Sequence, residues 1–218
     1  MPTAIHLNLR VDPTQYISQI REVPGYDYIH LVRQPKYMTD LSLLNEKVHY
    51  LNEIFSPKEF VEKNKVSLLH AHHGQLGILL LPFKEATNLP LVTSIRGRDA
   101  TFANQPVGYF ENMKMLFNQG DRFFPVCQYL ADRINAWGCP LEKIRVLYGG
   151  IDLSRYHYRA PSLDGSQNIL SVGRLVEKKG HHILMKAFKQ IRNKFPNATL
   201  TIIGKGELQE DLTSLKNN

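Results

Sequence analysis

Short apolar segments alternate with longer segments of helical periodicity along most of this 218-residue sequence. Apolar runs of this length are typical of strands buried on both faces, as in a parallel sheet covered by helices. Strands are predicted at residues 5–9, 28–32, 66–70, 89–95, 121–126 and 144–148. Helices are predicted between them at 13–23, 40–55, 75–87 (interrupted by Pro82) and 127–137. The alternation predicts an α/β fold with a doubly wound parallel sheet.

A second βαβ unit follows residues 164–167, an Asp-Gly-Ser-Gln segment typical of a linker. It is predicted to consist of a strand at 168–172, a helix at 181–195, a strand at 198–203 and the start of a helix at 207–215. Two strands and two helices cannot cover both faces of a parallel sheet. We therefore expect one Rossmann-like domain over residues 1–153 and an incomplete second domain of the same kind over 154–218.

Several classes of protein are disfavoured by composition. Cys127 and Cys139 are too few for a disulfide framework and indicate a reducing compartment. The first ten residues do not follow the signal-peptide pattern, and no apolar run approaches the roughly 20 residues that span a bilayer. The expected location is the cytoplasm.

The basic surplus lies in the second part of the chain. Residues 1–153 carry 16 Lys and Arg against 15 Asp and Glu, whereas residues 154–218 carry 11 against 5. Such a surface attracts phosphorylated ligands, nucleic acid or anionic lipid, or is simply a solvated basic face. The aromatic and basic motifs of RNA-binding modules are absent, so a nucleic-acid partner is not expected.

The sequence SVGRLVEKKG at 171–180 follows a predicted strand and opens a predicted helix. Gly173 and Gly180 allow tight backbone turns, and Arg174 and Lys179 are then placed to reach the same crevice. Arginine offers a bidentate fork to phosphate oxygens, lysine offers a point charge, and a helix N-terminus favours an anion. The segment predicts a diphosphate site, with a solvated basic turn as the alternative.

A second glycine-containing turn, Gly204-Lys205-Gly206, comes after the last predicted strand. Two glycines at this spacing permit close approach of a ligand, although such turns are common in α/β proteins. No Gly-x-Gly-x-x-Gly follows the first strand and no Gly-Lys-Ser/Thr element occurs, so neither an NAD-type site in the N-terminal half nor a P-loop is expected.

The order and spacing of the motifs resemble those of family 4 glycosyltransferases, which have a GT-B fold of two facing Rossmann-like domains. The matching segments are LHAHHG at 69–74, VTSIRGRD at 92–99, FPVC at 124–127, GCPLEKIRVLYGGID at 138–152 and the two glycine-containing turns. The resemblance covers residues 66–210 well and the first 65 loosely.

This resemblance implies transfer of a sugar from a nucleoside diphosphate sugar to a saccharide or lipid-linked acceptor, with retention at the anomeric carbon. The N-terminal domain would take the acceptor and the C-terminal domain the donor. Arg174 and Lys179 would neutralise the departing diphosphate, with Gly173, Gly204 and Gly206 beside it, so neither a metal nor a cofactor is expected. A lipid-linked acceptor would bring peripheral contact with the inner face of the membrane.

The sequence departs from the family pattern at several positions. Arg96 stands where the family usually has a histidine that lines the sugar pocket, and arginine cannot act as a base at neutral pH. Arg96 is therefore expected either to bind an anionic acceptor or to anchor the loop. Gly149 replaces a common asparagine, and Cys127 replaces the serine that usually caps its helix, which predicts a weaker cap. The acidic Glu-x7-Glu element of the family is expected beyond Asn218.

The remaining candidates each have two interpretations. His72 is a cleft residue near the acceptor or, with His70 and His73, a hydrogen-bonded structural histidine; no cysteine or carboxylate nearby completes a metal site. Asp99 orients an acceptor hydroxyl or caps its turn.

Other residues are expected to have structural positions. His181 and His182 are predicted at the surface, and residues 109–117 have a helical apolar spacing typical of core packing. A non-catalytic, truncated relative that only binds an acceptor or a partner is the alternative function.

Overall fold

The computed structural model describes residues 1–8, 24–33, 48–101, 105–150, 153–158, 160 and 167–217. The chain divides into two compact units, residues 1–151 and 152–218. The predicted helix at 13–23, most of the predicted linker at 164–167 and the first part of the predicted helix at 40–55 lie outside the described residues.

The first unit contains a parallel six-stranded sheet. Its strands are β1 (Thr3–Asn8), β2 (Asp27–Val32), β3 (Val48–Tyr50), β4 (Val66–Ala71), β5 (Leu91–Ile95) and β6 (Arg122–Pro125). Their spatial order is β3-β2-β1-β4-β5-β6, the order of a doubly wound Rossmann-like sheet. The strand order reverses between β1 and β4, and ligands of such sheets bind at the carboxyl ends of the strands beside that reversal. The predicted α/β fold is confirmed.

Four helices in the described part of the first unit follow the strands: α1 (Pro57–Lys63), α2 (Gly74–Thr87), α3 (Tyr109–Gln119) and α4 (Gln128–Ala136). Alternate residues of the strands form one apolar core with α2 and α3, and the fully buried members include Ile5, Leu7, Ile29, Leu31, Leu69, Leu80 and Met113. Of the four residues of α3 predicted in the core, Tyr109, Met113 and Phe117 are buried, and Phe110 is half-buried against the core. Burial of this apolar surface is what holds the helices on the sheet.

Helix α2 passes close to its neighbours because position 77 is glycine. A Cβ atom on Gly77 would lie 2.7 Å from Leu116 Cδ2 and 2.8 Å from Thr93 Oγ1. Pro82 was expected to interrupt this helix, but α2 is continuous through it. A proline removes one backbone hydrogen bond, and the buried Leu81 and Phe83 on either side of it offset that loss by packing in the core.

The predicted helix at 40–55 is wrong over its second half. Residues 48–50 form strand β3, which pairs in parallel with residues 30–32 of β2, and a single 3₁₀ turn follows at Leu51–Glu53. The helix begins later, after Ser56, whose side chain accepts the Glu59 N–H, with Pro57 in the first turn. Pairing with an exposed edge of the sheet outweighed the helical spacing of the apolar residues.

The predicted strand at 144–148 is reduced to a single bridge between Ile144 and Phe123. Two backbone hydrogen bonds, from Arg145 N–H to Phe123 O and from Leu147 N–H to Pro125 O, hold the segment beside β6. Pro125 has no N–H to donate, which prevents a continuous ladder at this edge.

The second unit contains β7 (Asn168–Val172) and β8 (Thr199–Ile203), which pair in parallel, with α5 (His181–Arg192) and α6 (Gln209–Asn217). Leu175, Ala198 and Leu212 are its buried apolar residues among those described. Among the helices in the described ranges, none has the length and apolar character needed to cross a membrane.

Candidate active site

The loop after β5 is built around the carboxylate of Asp99. It accepts hydrogen bonds from the backbone N–H groups of Arg96 (3.0 Å), Gly97 (2.8 Å) and Gly74 (3.0 Å). Gly97 has φ of 131°, a conformation that disfavours any residue with a Cβ atom. The loop after β5 and the N-terminus of α2 are therefore joined through one side chain.

Asp99 is only 2% exposed, and it is charged. Burial acts to raise its pKa, but His73 and the backbone N–H donors outweigh burial and hold the pKa below its ordinary value. His73 Nδ1 lies 3.7 Å from the carboxylate, and Tyr109 Oη donates to the Asp99 carbonyl oxygen. These contacts cap the turn after β5 and hold the backbone of Arg96, and a role of Asp99 toward an acceptor hydroxyl stays a prediction.

Four histidines lie on the other face of the sheet from the apolar core. His6 of β1 is in register with His30 of β2 and with His70 of β4, so the three side chains stand side by side. His72 follows β4, with its ring stacked on that of His70 at a centroid distance of 4.1 Å. We refer to His6, His30, His70 and His72 as the histidine cluster.

Hydrogen bonds hold the rings of His6, His70 and His72. His6 Nδ1 and His72 Nε2 are 3.1 Å apart, and the Arg96 Nη2 donates to His72 Nδ1 at 3.4 Å. Because an arginine can only donate, His72 accepts at Nδ1 and carries its proton on Nε2, which it donates to His6. His70 Nε2 lies 3.0 Å from Ser94 Oγ.

The imidazoles of His6, His70 and His72 are neutral at physiological pH. Burial is the main cause in all three cases: it lowers the pKa of His70 to about 4, with a further contribution from Arg96. Burial, followed by the neighbouring histidines, also lowers the pKa of His6 and of His72. A neutral ring has one nitrogen that donates a hydrogen bond and one that accepts.

An open cleft of about 330 Å³ lies at the carboxyl ends of β5 and β6. Its lining includes Ser94, Arg96 and residues 147–150, and Tyr148 is 70% exposed. The cleft thus offers a fixed cation, a hydroxyl group and an exposed aromatic ring, groups that bind polar ligands such as sugars and anions. The predicted residues His72, Arg96 and Asp99 are brought together beside it.

Sequence reasoning missed His6, His30, Ser94 and Tyr148. Ser94 lies within a matched motif, but its contact with His70 joins residues 24 positions apart. His6 and His72 are 66 positions apart and meet only because β1 pairs with β4. No local pattern indicates either contact.

The second unit has its own group of predicted residues, in the loop after β7. Arg174 is exposed there, and Lys179 lies in the single turn Glu177–Lys179 before α5. A Cβ atom on Gly173 would lie 3.8 Å from Lys179 Cδ and Cε, so the lysine stem passes over Gly173. Gly180, the residue before α5, has φ of 65°, the tight turn that the sequence predicted.

His181 was expected at the surface and is instead buried, 2% exposed. Its Nε2 donates to the Arg174 carbonyl oxygen at 3.2 Å, and its Nδ1 lies 3.4 Å from Ser171 Oγ. The ring therefore fixes the backbone of Arg174 relative to the start of α5. His182, also expected at the surface, is partly exposed.

Close backbone packing explains why positions 204 and 206 are glycine, and the sequence did not indicate this packing. A Cβ atom on Gly204 would collide with the Gly173 carbonyl oxygen, and one on Gly206 would collide with the backbone of Leu175. The two loops therefore pack backbone against backbone, and this packing fixes the loop that carries Arg174. Close approach of a ligand to these glycines stays a prediction.

Sequence models of known protein families match both units of the chain. The sequence model described as Glycosyltransferase Family 4 matches residues 14–155, and that of Glycosyl transferases group 1 matches residues 157–218. The putative colanic acid biosynthesis glycosyltransferase WcaL of Escherichia coli (strain K12) is 30% identical over 148 residues, which cover 66% of this chain and 36% of WcaL. The amylovoran biosynthesis glycosyltransferase AmsK of Erwinia amylovora is 30% identical over 144 residues, 65% of this chain and 35% of AmsK. The matched part of the chain spans about a third of these relatives.

Solved structures share the fold. Anabaena Alr3699/HepE in complex with UDP and glucose aligns with a TM-score of 0.73 at 16% identity, covering 100% of this chain and 65% of HepE. The apo form of the lipopolysaccharide outer core galactosyltransferase WaaB aligns with a TM-score of 0.72 at 13% identity, covering 100% of this chain and 64% of WaaB.

Proposed function

Because this chain belongs to glycosyltransferase family 4, with the family model matching residues 14–155, we propose that it serves sugar transfer from a nucleoside diphosphate sugar to a saccharide or lipid-linked acceptor. The observation that carries this proposal is the succession of two glycosyltransferase models along one chain, at 14–155 and at 157–218. WcaL and AmsK are named for the biosynthesis of colanic acid and amylovoran, which favours a polysaccharide product.

The donor diphosphate is assigned to the loop after β7. Arg174 and Lys179 are both exposed, and the Lys179 stem crosses Gly173 next to Arg174. Two fixed cations can stabilise the negative charge that develops on the leaving diphosphate. Structures of HepE contain UDP or UDP-glucose, which supports a UDP-sugar as the first donor to test.

The acceptor is assigned to the cleft beside His72 and Arg96 in the first unit. Arg96 is permanently charged, so it binds or orients groups and does not remove a proton. The neutral His72 offers a hydrogen bond, and the exposed ring of Tyr148 offers an apolar face for a sugar. Transfer with retention at the anomeric carbon, implied by the family, is part of the proposal.

The binding-only alternative is less well supported, because the relatives and structures named above are glycosyltransferases by name or bind UDP. A direct test separates the two functions. The purified protein is incubated with a panel of nucleoside diphosphate sugars, with and without saccharide acceptors, and release of the nucleotide is measured. Release from one donor is expected; no release from any donor, together with no binding of UDP by calorimetry, would contradict the proposed function.

Substitutions in the loop after β7 test the assignment of the donor site separately. We expect Arg174→Ala and Lys179→Ala each to lower the rate of transfer by about 10²–10³-fold, because each removes a cation that stabilises the leaving group. Lys178→Ala is the matched control, since Lys178 is an exposed lysine of the same turn, and its rate should stay close to that of the wild type. Unchanged turnover in both Arg174→Ala and Lys179→Ala would refute the site while leaving the family activity intact.

A further inference from the structure

Three members of the histidine cluster form a candidate metal site. We propose that His6, His70 and His72 bind a divalent transition metal of the zinc type. One ring nitrogen from each residue lies within 4.8 Å of the other two, although the residues come from two different strands and the loop after β4. The inference concerns the first unit alone and does not depend on sugar transfer.

The spacing of the ring nitrogens suits such an ion. Zinc is bound by histidine at about 2.0–2.1 Å with tetrahedral geometry, which places ligand nitrogens about 3.3 Å apart. His6 Nδ1 and His72 Nε2 are already 3.1 Å apart. Since one ring nitrogen of His70 lies within 4.8 Å of one nitrogen of each of the other two rings, it reaches the same separation by a shift of at most about 1.5 Å, which rotation of a side chain supplies.

The three rings are also neutral, which is the charge state of a histidine that binds metal. A neutral imidazole has a lone pair, and the lowered pKa values of all three histidines mean that protons do not compete at neutral pH. Ser94 Oγ contacts Nε2 of His70 at 3.0 Å, and the proposed site takes the other nitrogen of that ring, Nδ1, as the ligand atom. A hydroxyl group on the outer nitrogen orients a metal-binding histidine in the way that outer-shell partners usually do.

The choice of ion follows from the ligands. Imidazole nitrogens suit Zn²⁺, Cu²⁺, Ni²⁺ and Co²⁺, whereas Mg²⁺ and Ca²⁺ prefer oxygen ligands. Three protein ligands leave a fourth tetrahedral position for water. Binding replaces the hydrogen bond between His6 and His72 with two metal–nitrogen bonds and cross-links β1 to the loop after β4.

Arg96 opposes this binding. Its guanidinium group lies 3.4 Å from His72 Nδ1, so its positive charge repels a dication nearby. When Nε2 of His72 binds a metal, the ring proton moves to Nδ1, and the hydrogen bond from Arg96 is lost. The metal and the contact between Arg96 and His72 therefore exclude each other, and removal of the guanidinium group is expected to strengthen metal binding.

The test uses the full chain without an affinity tag, stripped with a chelator and titrated with Co²⁺. Tetrahedral Co²⁺ with nitrogen ligands has a strong visible absorption, so the spectrum reports both binding and geometry. We expect one equivalent of Co²⁺ to bind with a tetrahedral spectrum and Zn²⁺ to displace it. No visible band, or Zn²⁺ binding too weak to compete with a chromophoric chelator, would overturn the proposal.

Variants identify the ligands. His6→Ala and His70→Ala are each expected to weaken Zn²⁺ binding by more than about 100-fold, since loss of a ligand exceeds the 10–100-fold loss typical of an outer-shell partner. His157→Ala, which removes an exposed histidine of the second unit, is the matched control and should bind like the wild type. Binding that is equal in all three variants would refute the site.

A further variant keeps the proposal testable if the alanine variants do not fold, which circular dichroism in the presence of chelator would reveal. Arg96→Met retains the length of the side chain and removes its charge, and we expect it to raise the affinity for Zn²⁺ by about tenfold or more. Weaker or unchanged Zn²⁺ binding in Arg96→Met would contradict the inference.

Discussion

At the residue scale, the carboxylate of Asp99 connects the turn after β5 to the N-terminus of α2. Its oxygens accept backbone N–H groups from the turn after β5 and from the first residue of α2. The donors are fixed in the backbone, so they favour the charged form despite burial. The same anchor holds the backbone of Arg96, whose side chain lines the cleft and contacts His72.

We expect Asp99→Asn to lower the free energy of unfolding by about 2–4 kcal/mol at pH 6, because the neutral amide accepts fewer N–H groups and turns a donor toward one of them. Urea unfolding measures the effect. Thr101→Ala, at an adjacent partly exposed position, serves as a control for changes to the same loop and should have a much smaller effect.

The pH dependence of this variant follows from the sign of the pKa shift. The folded pKa of Asp99 lies below its ordinary value of 3.8, so its stabilising contribution is complete above 3.8 and is lost as pH falls through the folded pKa. The difference in stability between the wild type and Asp99→Asn should therefore shrink between pH 6 and pH 3. A difference that stays constant over this interval would show that the charge of Asp99 is not what stabilises the loop.

At the scale of a secondary-structure element, the side chain of Lys143 caps the end of helix α3. Its Nζ donates to the carbonyl oxygens of Phe117 (2.9 Å), Asn118 (2.8 Å) and Gly120 (2.9 Å) at the end of α3. The last carbonyls of a helix have no partner within it, and a cation there also interacts favourably with the helix dipole. Lys143 thus caps α3 from 23 to 26 positions away in the sequence.

We expect Lys143→Met to reduce the free energy of unfolding by about 1–3 kcal/mol, since it leaves three carbonyl groups without this donor while keeping the length of the side chain. Chemical unfolding of the purified chain measures the loss. Glu142→Gln changes the charge of the neighbouring exposed residue and should leave stability nearly unchanged. If the two variants are equally stable, the cap does not contribute.

Most of the elements could be predicted from the sequence, because periodicity and turn residues act locally. The strands of residues 27–32, 66–71 and 168–172 were predicted to within one residue at each end. Helix α4 lies within its predicted range and, as expected from Cys127, has no hydrogen bond from a capping side chain. Strand β3 was missed, because it depends on the edge of β2 and not on its own three residues.

At the scale of the whole molecule, the charge is divided between the two units. The basic surplus lies in residues 154–218, where the donor diphosphate is proposed to bind, and residues 1–153 are almost neutral. Arg174 and Lys179 are exposed to solvent, so their attraction for an anion is screened by salt.

Binding of UDP is therefore expected to weaken several-fold between about 0.01 and 0.15 M salt, an interval over which the Debye length falls from about 30 to 8 Å. Titration calorimetry at several concentrations of NaCl measures the dependence. The Lys179→Ala variant should bind UDP more weakly and with a shallower dependence on salt. Affinity that does not change with salt would place the diphosphate away from these cations.

The sequence by itself determined the parallel α/β architecture, the loop that carries Arg174 and Lys179, and the placement of Arg96 and Asp99 after one strand. These features depend on residues close in the chain, where helical or strand periodicity and glycine conformation decide the result. Only the tertiary structure decided that His6 lies 3.1 Å from His72, that Lys143 caps α3, and that Gly204 makes room for the carbonyl of Gly173. Each of these contacts joins residues from separate elements, and pairing and packing of whole strands and helices bring them together.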